Sequence, residues 1–230
     1  VTKYLIEPGI LGIFGAPLKV LSARMLTDYF FKYRSGKTSR ATRGSVAPAK
    51  GMQTLVIGLE KWLKEKGVEF KMSTAFSLED DRLRVDLPNA KYDALIVATD
   101  AHAAADIFAP VNSHLSAQLR HVTYRSLSSV TVASDTPGSL KGFGCLFPPD
   151  QEFSAYGVLF NPYIFKNSGP SFTETWILPT VNPSDDEVLA MVTKDRARLY
   201  GKSEPFHHSL ITRWTHALPL YDSVLEKVVH

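Results

Sequence analysis

The sequence predicts an α+β fold, a mixed or antiparallel sheet with flanking helices. Three observations carry this. Several segments repeat apolar residues at intervals of three and four, as helices with one covered face do. From Ser128 onward, short β-type runs follow one another at close intervals, parted by Pro-Gly, Pro-Pro-Asp, Asn-Pro and Gly-Pro breakers, the pattern of an antiparallel sheet. And 230 residues with 44% hydrophobic content can close a core, in one large domain or two small ones.

The elements follow in order. Gly9, Gly12 and Gly15 are spaced Gly-x-x-Gly-x-x-Gly between Pro8 and Pro17, which predicts a closely packed loop rather than a dinucleotide turn. Ser22 can cap a helix whose Met25, Leu26, Tyr29, Phe30 and Tyr33 share a face. Residues 34–50, polar and without periodicity, predict a loop. Gly51 then opens a helix with Met52, Leu55, Val56, Leu59, Trp62 and Leu63 at helical spacing, closed by Gly67 at the left-handed C-terminal position. Residues 68–72 and 82–87 alternate apolar and polar about an Asp80-Asp81 turn, predicting half-buried strands. Residues 94–98, apolar throughout, predict a strand buried on both faces. Short helices are expected over 101–108 and 115–119, then strands over 128–133, 143–147, 155–160 and 173–178. Ser184 and Glu187 form a capping box for a helix over 185–200, and a last strand covers 209–214.

Several function classes fall away. Lys plus Arg at 26 against Asp plus Glu at 23 leaves +3, too little for a nucleic-acid binder. The longest charge-free stretches, 8–18 and 153–165, are too short to span a bilayer and are broken by proline. The single cysteine, Cys145, can form no internal disulfide, so a reducing, cytoplasmic setting is expected. There is no initiator methionine or signal-type N-terminus, so both ends are expected to be cuts through a longer protein. No phosphate-cradling loop and no nucleophile elbow occurs, and the seven histidines lack ligand spacing, so no metal is expected. One cluster invites a binding role. Phe153, Tyr156, Phe160, Tyr163 and Phe165 could wall a pocket for a flat ligand, or be ordinary sheet core.

In order along the chain, four segments resemble the flavin-containing amine oxidase superfamily and, within it, the protoporphyrinogen-oxidase-like branch. Residues 7–15, Glu-Pro-Gly-Ile-Leu-Gly-Ile-Phe-Gly, with Leu21-Ser22 behind them, resemble its apolar glycine-rich segment. Residues 50–55, Lys-Gly-Met-Gln-Thr-Leu, resemble its glycine-started helix. Residues 92–104, from Tyr92-Asp93 to Ala103-Ala104, are similar to its "D-a-V-V-l-A-t-P-a-x-x-a" segment, with Asp100 where the family commonly has proline. Residues 214–221, Trp-Thr-His-Ala-Leu-Pro-Leu-Tyr, resemble its "W-x-x-A-l-P-x-Y" element.

The resemblance implies FAD as cofactor, with the chain missing both the upstream Gly-x-Gly-x-x-Gly and a downstream FAD segment. It implies a partial, Rossmann-like FAD-binding piece over 51–110, with 1–50 and 111–213 supplying the helical part and the antiparallel sheet of a substrate-binding domain, and 214–230 returning toward the FAD domain. Carried over by position, Val68, Ala98 and Thr99 would meet the adenosine end of FAD, and Trp214 would approach the flavin ring. Tyr156, Phe160 and Tyr163 are the expected substrate contacts. The family's amine oxidases carry a lysine near the flavin on the strand matched to 126–133. Its absence here favours the porphyrinogen or desaturase side.

The implied reaction is hydride transfer from a largely apolar or aromatic small molecule to the flavin, in an intact parent of which this piece alone is inactive. Peripheral membrane contact and a homo-oligomer remain open. A non-catalytic ligand-binding or protein-interaction domain is the alternative.

Overall fold

A computed structural model of the chain describes residues 2–31, 46–79, 82–85, 94–165, 169–202 and 205–229. The expected loop over 34–50 lies largely outside these residues, as do the Asp80-Asp81 turn and residues 86–87. Two compact units are distinguished: Val1–Leu55 with Tyr124–Tyr221, and Val56–Thr123 with Asp222–His230.

In the first unit, a π-helical turn (Thr2–Ile6) leads into α1 (Glu7–Phe14). The glycine-spaced segment is therefore a helix and not the expected loop. Pro8 sits in the first turn, where its fixed φ and missing N–H suit a helix start. Gly15 ends the helix at φ +61, and Pro17 follows. Next comes α2 (Ala23–Phe31), capped as expected by Ser22, whose Oγ accepts from Met25 N at 3.3 Å.

The sheet has five antiparallel strands: β3 (Tyr124–Ser134), β4 (Gly144–Leu146), β5 (Gly157–Phe160), β6 (Phe172–Leu178) and β7 (His208–Pro219), in the order β4-β5-β6-β3-β7. Strand alternation gives it two different faces. Even-numbered residues of β3 and β6 are buried: Val130, Val132, Trp176 and Leu178 are at most 1% exposed. They pack with Val158, Phe160, Val188 and Val192 into one core.

Val188 and Val192 come from α7 (Asp185–Tyr200), whose capping box stands as the sequence predicts: Ser184 Oγ accepts from Glu187 N, and Glu187 Oε2 accepts from Ser184 N. The polar residues on this face are partnered. Glu174 accepts from Arg196 Nε at 2.8 Å, from Trp176 Nε1 at 3.2 Å and from the Tyr200 hydroxyl. Burial, with Glu174 beside it, pushes the Tyr200 phenol well above its usual range. Asp195, 1% exposed, accepts from Ser154 N and Ala155 N and so ties α7 to the loop before β5.

The second unit holds most of α3 (Gln53–Glu65), the hairpin of β1 (Phe76–Glu79) and β2 (Arg82–Val85), α4 (Ala101–Phe108), α5 (Ser113–Arg120) and α8 (Ser223–Val229). Gly67, at φ +84, closes α3 while Val68 N donates back to Leu63 O, the left-handed terminus the sequence predicts.

Two expectations fail here. Residues 68–72 and 94–98 are not strands, and Ile96 is 88% exposed rather than buried on both faces. A strand exists through its ladder, and no described segment pairs with either run. The apolar stripe of α3 is likewise uncovered: Leu55, Leu59 and Trp62 are all more than half exposed. Among the described residues no helix is long and apolar enough to cross a membrane.

Candidate functional site

The second face of the five-stranded sheet is open. Read across strands β5, β6, β3 and β7, the register sets Leu159, Thr175, Thr131 and Leu210 in one row and Gly157, Ile177, Ser129 and Thr212 in the next, with Leu127 opposite Trp214. Thr131 and Thr175 share a hydrogen bond of 2.9 Å, and Asn161 Nδ2, at the start of α6 (Asn161–Ile164), donates to Thr175 Oγ1 at 3.0 Å. Trp214 is 54% exposed and its Nε1 donates to Ser129 Oγ at 3.4 Å. Thus in the first row two threonines lie between leucines, and in the second Ile177 and Ser129 lie between Gly157 and Thr212.

At one end α1 lies against the sheet and encloses a cavity of about 140 Å³. Leu11, Leu127, Leu146, Leu159, Ile177 and Leu218 form most of its wall, with Gly12, Gly15, Cys145, Tyr156, Gly157 and Val158 completing it. The glycines make the close approach feasible: a Cβ on Gly12 would stand 2.7 Å from Leu146 Cδ2, and one on Gly15 3.2 Å from Leu218 Cδ1. Burial raises the Cys145 thiol, which suits an inert wall residue.

Next to the wall residues Gly15 and Tyr156 the sheet shifts register. Between Arg125 and Leu127 the β3–β7 pairing slips, with Leu218 opposite the former and Trp214 opposite the latter, and Ser126 Oγ holds Thr215 O at 2.7 Å. Such an irregularity re-aims neighbouring side chains. Arg125 Nε donates to Gly15 O at 3.0 Å, and its guanidinium reaches the Tyr156 hydroxyl at 3.4 Å. That hydroxyl in turn lies 3.4 Å from Gly15 O. One arginine therefore ties the helix terminus to the tyrosine.

The sequence-derived residues fall in different places. Tyr156 reaches the cavity. Phe160, 1% exposed, lies in the opposite core, tilted against Phe172, and Tyr163 stands half-exposed in α6, edge-on to Phe172. The structure does not bring these three together, because the chain bends between Tyr156 and β5 and the five aromatics do not share one strand. Phe153 stacks on Phe147 at 3.9 Å on the core side. Trp214 stands on the open face. Leu11, Leu146 and Arg125 were not singled out by the sequence, and Gly12 was noted only for its glycine spacing. The one signal was the three-residue glycine interval, which on a helix puts Gly12 and Gly15 on one side.

In the second unit, Val68, Ala98 and Thr99 are exposed and outside any ladder. Val68 spends its N–H on Leu63 O. Asp100 N-caps α4, its Oδ1 accepting from His102 N and Ala103 N at 3.0 Å, a role proline could not fill. A Gly-x-Gly-x-x-Gly for the diphosphate is absent from the sequence.

The fold has solved relatives. A protein of Exiguobacterium sp. 255-15, provisionally assigned as a protoporphyrinogen oxidase, superposes with a TM-score of 0.76 at 20% identity, over 99% of this chain and 55% of that one. Reduced UDP-galactopyranose mutase superposes with a TM-score of 0.68 at 11% identity, over 97% and 54%. The PF1083 protein of Pyrococcus furiosus gives 0.54 at 9%, over 71% and 43%. The chain thus spans about half the length of the first two structures it matches. No curated protein matches its sequence. The profile of the flavin containing amine oxidoreductases matches residues 2–223, nearly the whole length, and the chain belongs to that family.

Proposed function

We propose that the chain is part of an FAD-dependent oxidoreductase that removes hydrogen from a largely apolar small molecule, in the manner of the protoporphyrinogen oxidases, with the first unit holding the substrate. The observation that carries this is the cavity between α1 and the open sheet face. Its volume, about 140 Å³, and its leucine-rich wall match what a ring or branched alkyl group needs. Family membership supplies the flavin, and FAD is the form this reading requires. When bound, the flavin accepts the hydride, and the protein's part is orientation and exclusion of water.

This chain's residues have definite tasks in that scheme. The leucines desolvate the apolar part of the substrate. Tyr156 offers a hydroxyl at the cavity wall, and Trp214, 54% exposed on the open face, offers a ring that an aromatic group can cover. The exposed segments at Val68 and at Ala98 and Thr99 are proposed to meet the adenosine end. No acid, base or nucleophile is required of the first unit, in keeping with a chain that is inactive by itself.

The test is flavin content. The full product of the gene, purified natively, is expected to carry FAD visible near 450 nm, and Trp214→Ala is expected to lower its retention or turnover. A colourless protein that takes up no added FAD would move the reading to a non-catalytic ligand-binding domain.

A further inference from the structure

The cavity under α1 is hollowed out by missing side chains. Across β4, β5 and β6 the register sets Leu146, Gly157 and Ile177 side by side, so a strand residue without a side chain stands between two large ones. From the helix, Gly12 lines the same space. The Leu146 side chain fills the gap between the two glycines: its Cδ2 lies where a Cβ on Gly12 would come within 2.7 Å and a Cβ on Gly157 within 3.0 Å. Strand β4 has three residues and stands at the border of the sheet, and Leu146 is 51% exposed, while Leu11 and Val158 in the same wall are buried. Leu146 thus belongs both to the cavity and to the outer surface.

Size decides what can enter. An apolar cavity of about 150 Å³ holds one benzene, and this one, at about 140 Å³, has room for a single ring. Packed walls resist even one added methylene. The wall residue that a larger guest has to displace is the one with solvent behind it.

We infer that Leu146, seated against Gly12, sets the upper size limit of the substrate: the group that enters is one ring or a branched alkyl of the same bulk, and a fused or macrocyclic ring system is held outside. The inference rests on the cavity being the substrate site. Gly12 acts through Leu146, since the bare helix backbone is what lets the leucine take its place.

The experiment titrates the purified chain with benzene and with naphthalene, followed by NMR shifts of the Leu and Ile methyls at the cavity. Benzene is expected to bind about tenfold tighter than naphthalene, although naphthalene is the more hydrophobic of the two. Leu146→Ala is expected to erase that preference by admitting naphthalene. Gly12→Ala adds a methyl aimed at Leu146 Cδ2, in a helix that accepts alanine readily, and is expected to weaken benzene binding about tenfold. Combined with Leu146→Ala, it is expected to bind benzene again.

Equal binding of the two probes by the unaltered protein, or a preference that survives Leu146→Ala, overturns the limit set by Leu146 and leaves the cavity reading intact. Should Leu146→Ala fail to fold, Gly12→Ala decides, and unchanged benzene binding there overturns the pairing of the two residues. Silence of the cavity methyls to both probes overturns the size limit and the cavity reading together.

Discussion

The two faces of the five-stranded sheet are made by alternate residues of the same strands, yet one is a closed core and the other an open surface. On the α7 face, Val130, Val132, Trp176 and Leu178 are buried and the polar groups Glu174, Arg196 and Asp195 are all partnered. On the other, Ser129, Thr131 and Thr175 stand between Leu159, Leu210 and Trp214, and α1 covers only the end that holds the cavity. The contrast separates residues that hold the fold from residues free to hold a ligand. Substitutions on the first face should act on stability and those on the second on binding.

The largest effects therefore belong to the closed face. Trp176→Ala is expected to cost about 3–5 kcal/mol in urea denaturation, whereas Trp214→Ala, on a residue 54% exposed, is expected to stay within about 1 kcal/mol. Similar costs for the two tryptophans would erase the distinction. Glu174→Ala leaves the Arg196 guanidinium buried without its carboxylate and is expected to cost a further unfolding penalty of about 3–5 kcal/mol, measured in the same way.

Next comes Asp195→Ala, which strips two buried acceptors from Ser154 N and Ala155 N. It is expected to cost about 1–3 kcal/mol and, because that loop leads to Tyr156, to weaken benzene binding in the cavity as well. Destabilisation with unchanged benzene binding would show that the two faces are not linked through this loop.

How much of this was legible in the sequence depends on how local each signal is. The Ser184 and Glu187 box, the Gly67 terminus of α3 and the succession of β-type runs that form an antiparallel sheet are written in neighbouring residues, and the structure follows them. Residues 68–72 and 94–98 have the composition of strands, but a ladder needs a partner that no local pattern supplies. The pocket was half legible. Tyr156 lines the cavity, while Phe160 lies in the core because a bend before β5 breaks the two-residue alternation. Arg125 was invisible, since its position depends on a register slip between β3 and β7.

Two pH effects, the smallest, sharpen the contrast further. The capping box holds the Glu187 carboxyl below the usual glutamate range through its bonds to Ser184. A carboxylate lowered by folding stabilises above its unfolded pKa and ceases to do so as pH falls through the folded one. Thermal melts are thus expected to drop slightly as pH falls below the ordinary glutamate value of about 4.3 toward the lowered one, and less in Glu187→Gln. At Cys145 burial acts in the other direction. Alkylation of this single thiol is expected to accelerate only above the usual thiol pKa of about 8.5, and to slow when benzene is added to fill the cavity.

The division between the two faces is most directly tested by methyl-resolved NMR of the chain titrated with benzene, a probe of the cavity's own size. Shifts confined to Leu11, Leu127, Leu146, Leu159 and Ile177, with Val130, Val132, Val188 and Val192 unmoved, are the expected result. Shifts centred on the valines under α7, or none at all, would contradict the assignment of the open face as the one that receives a ligand.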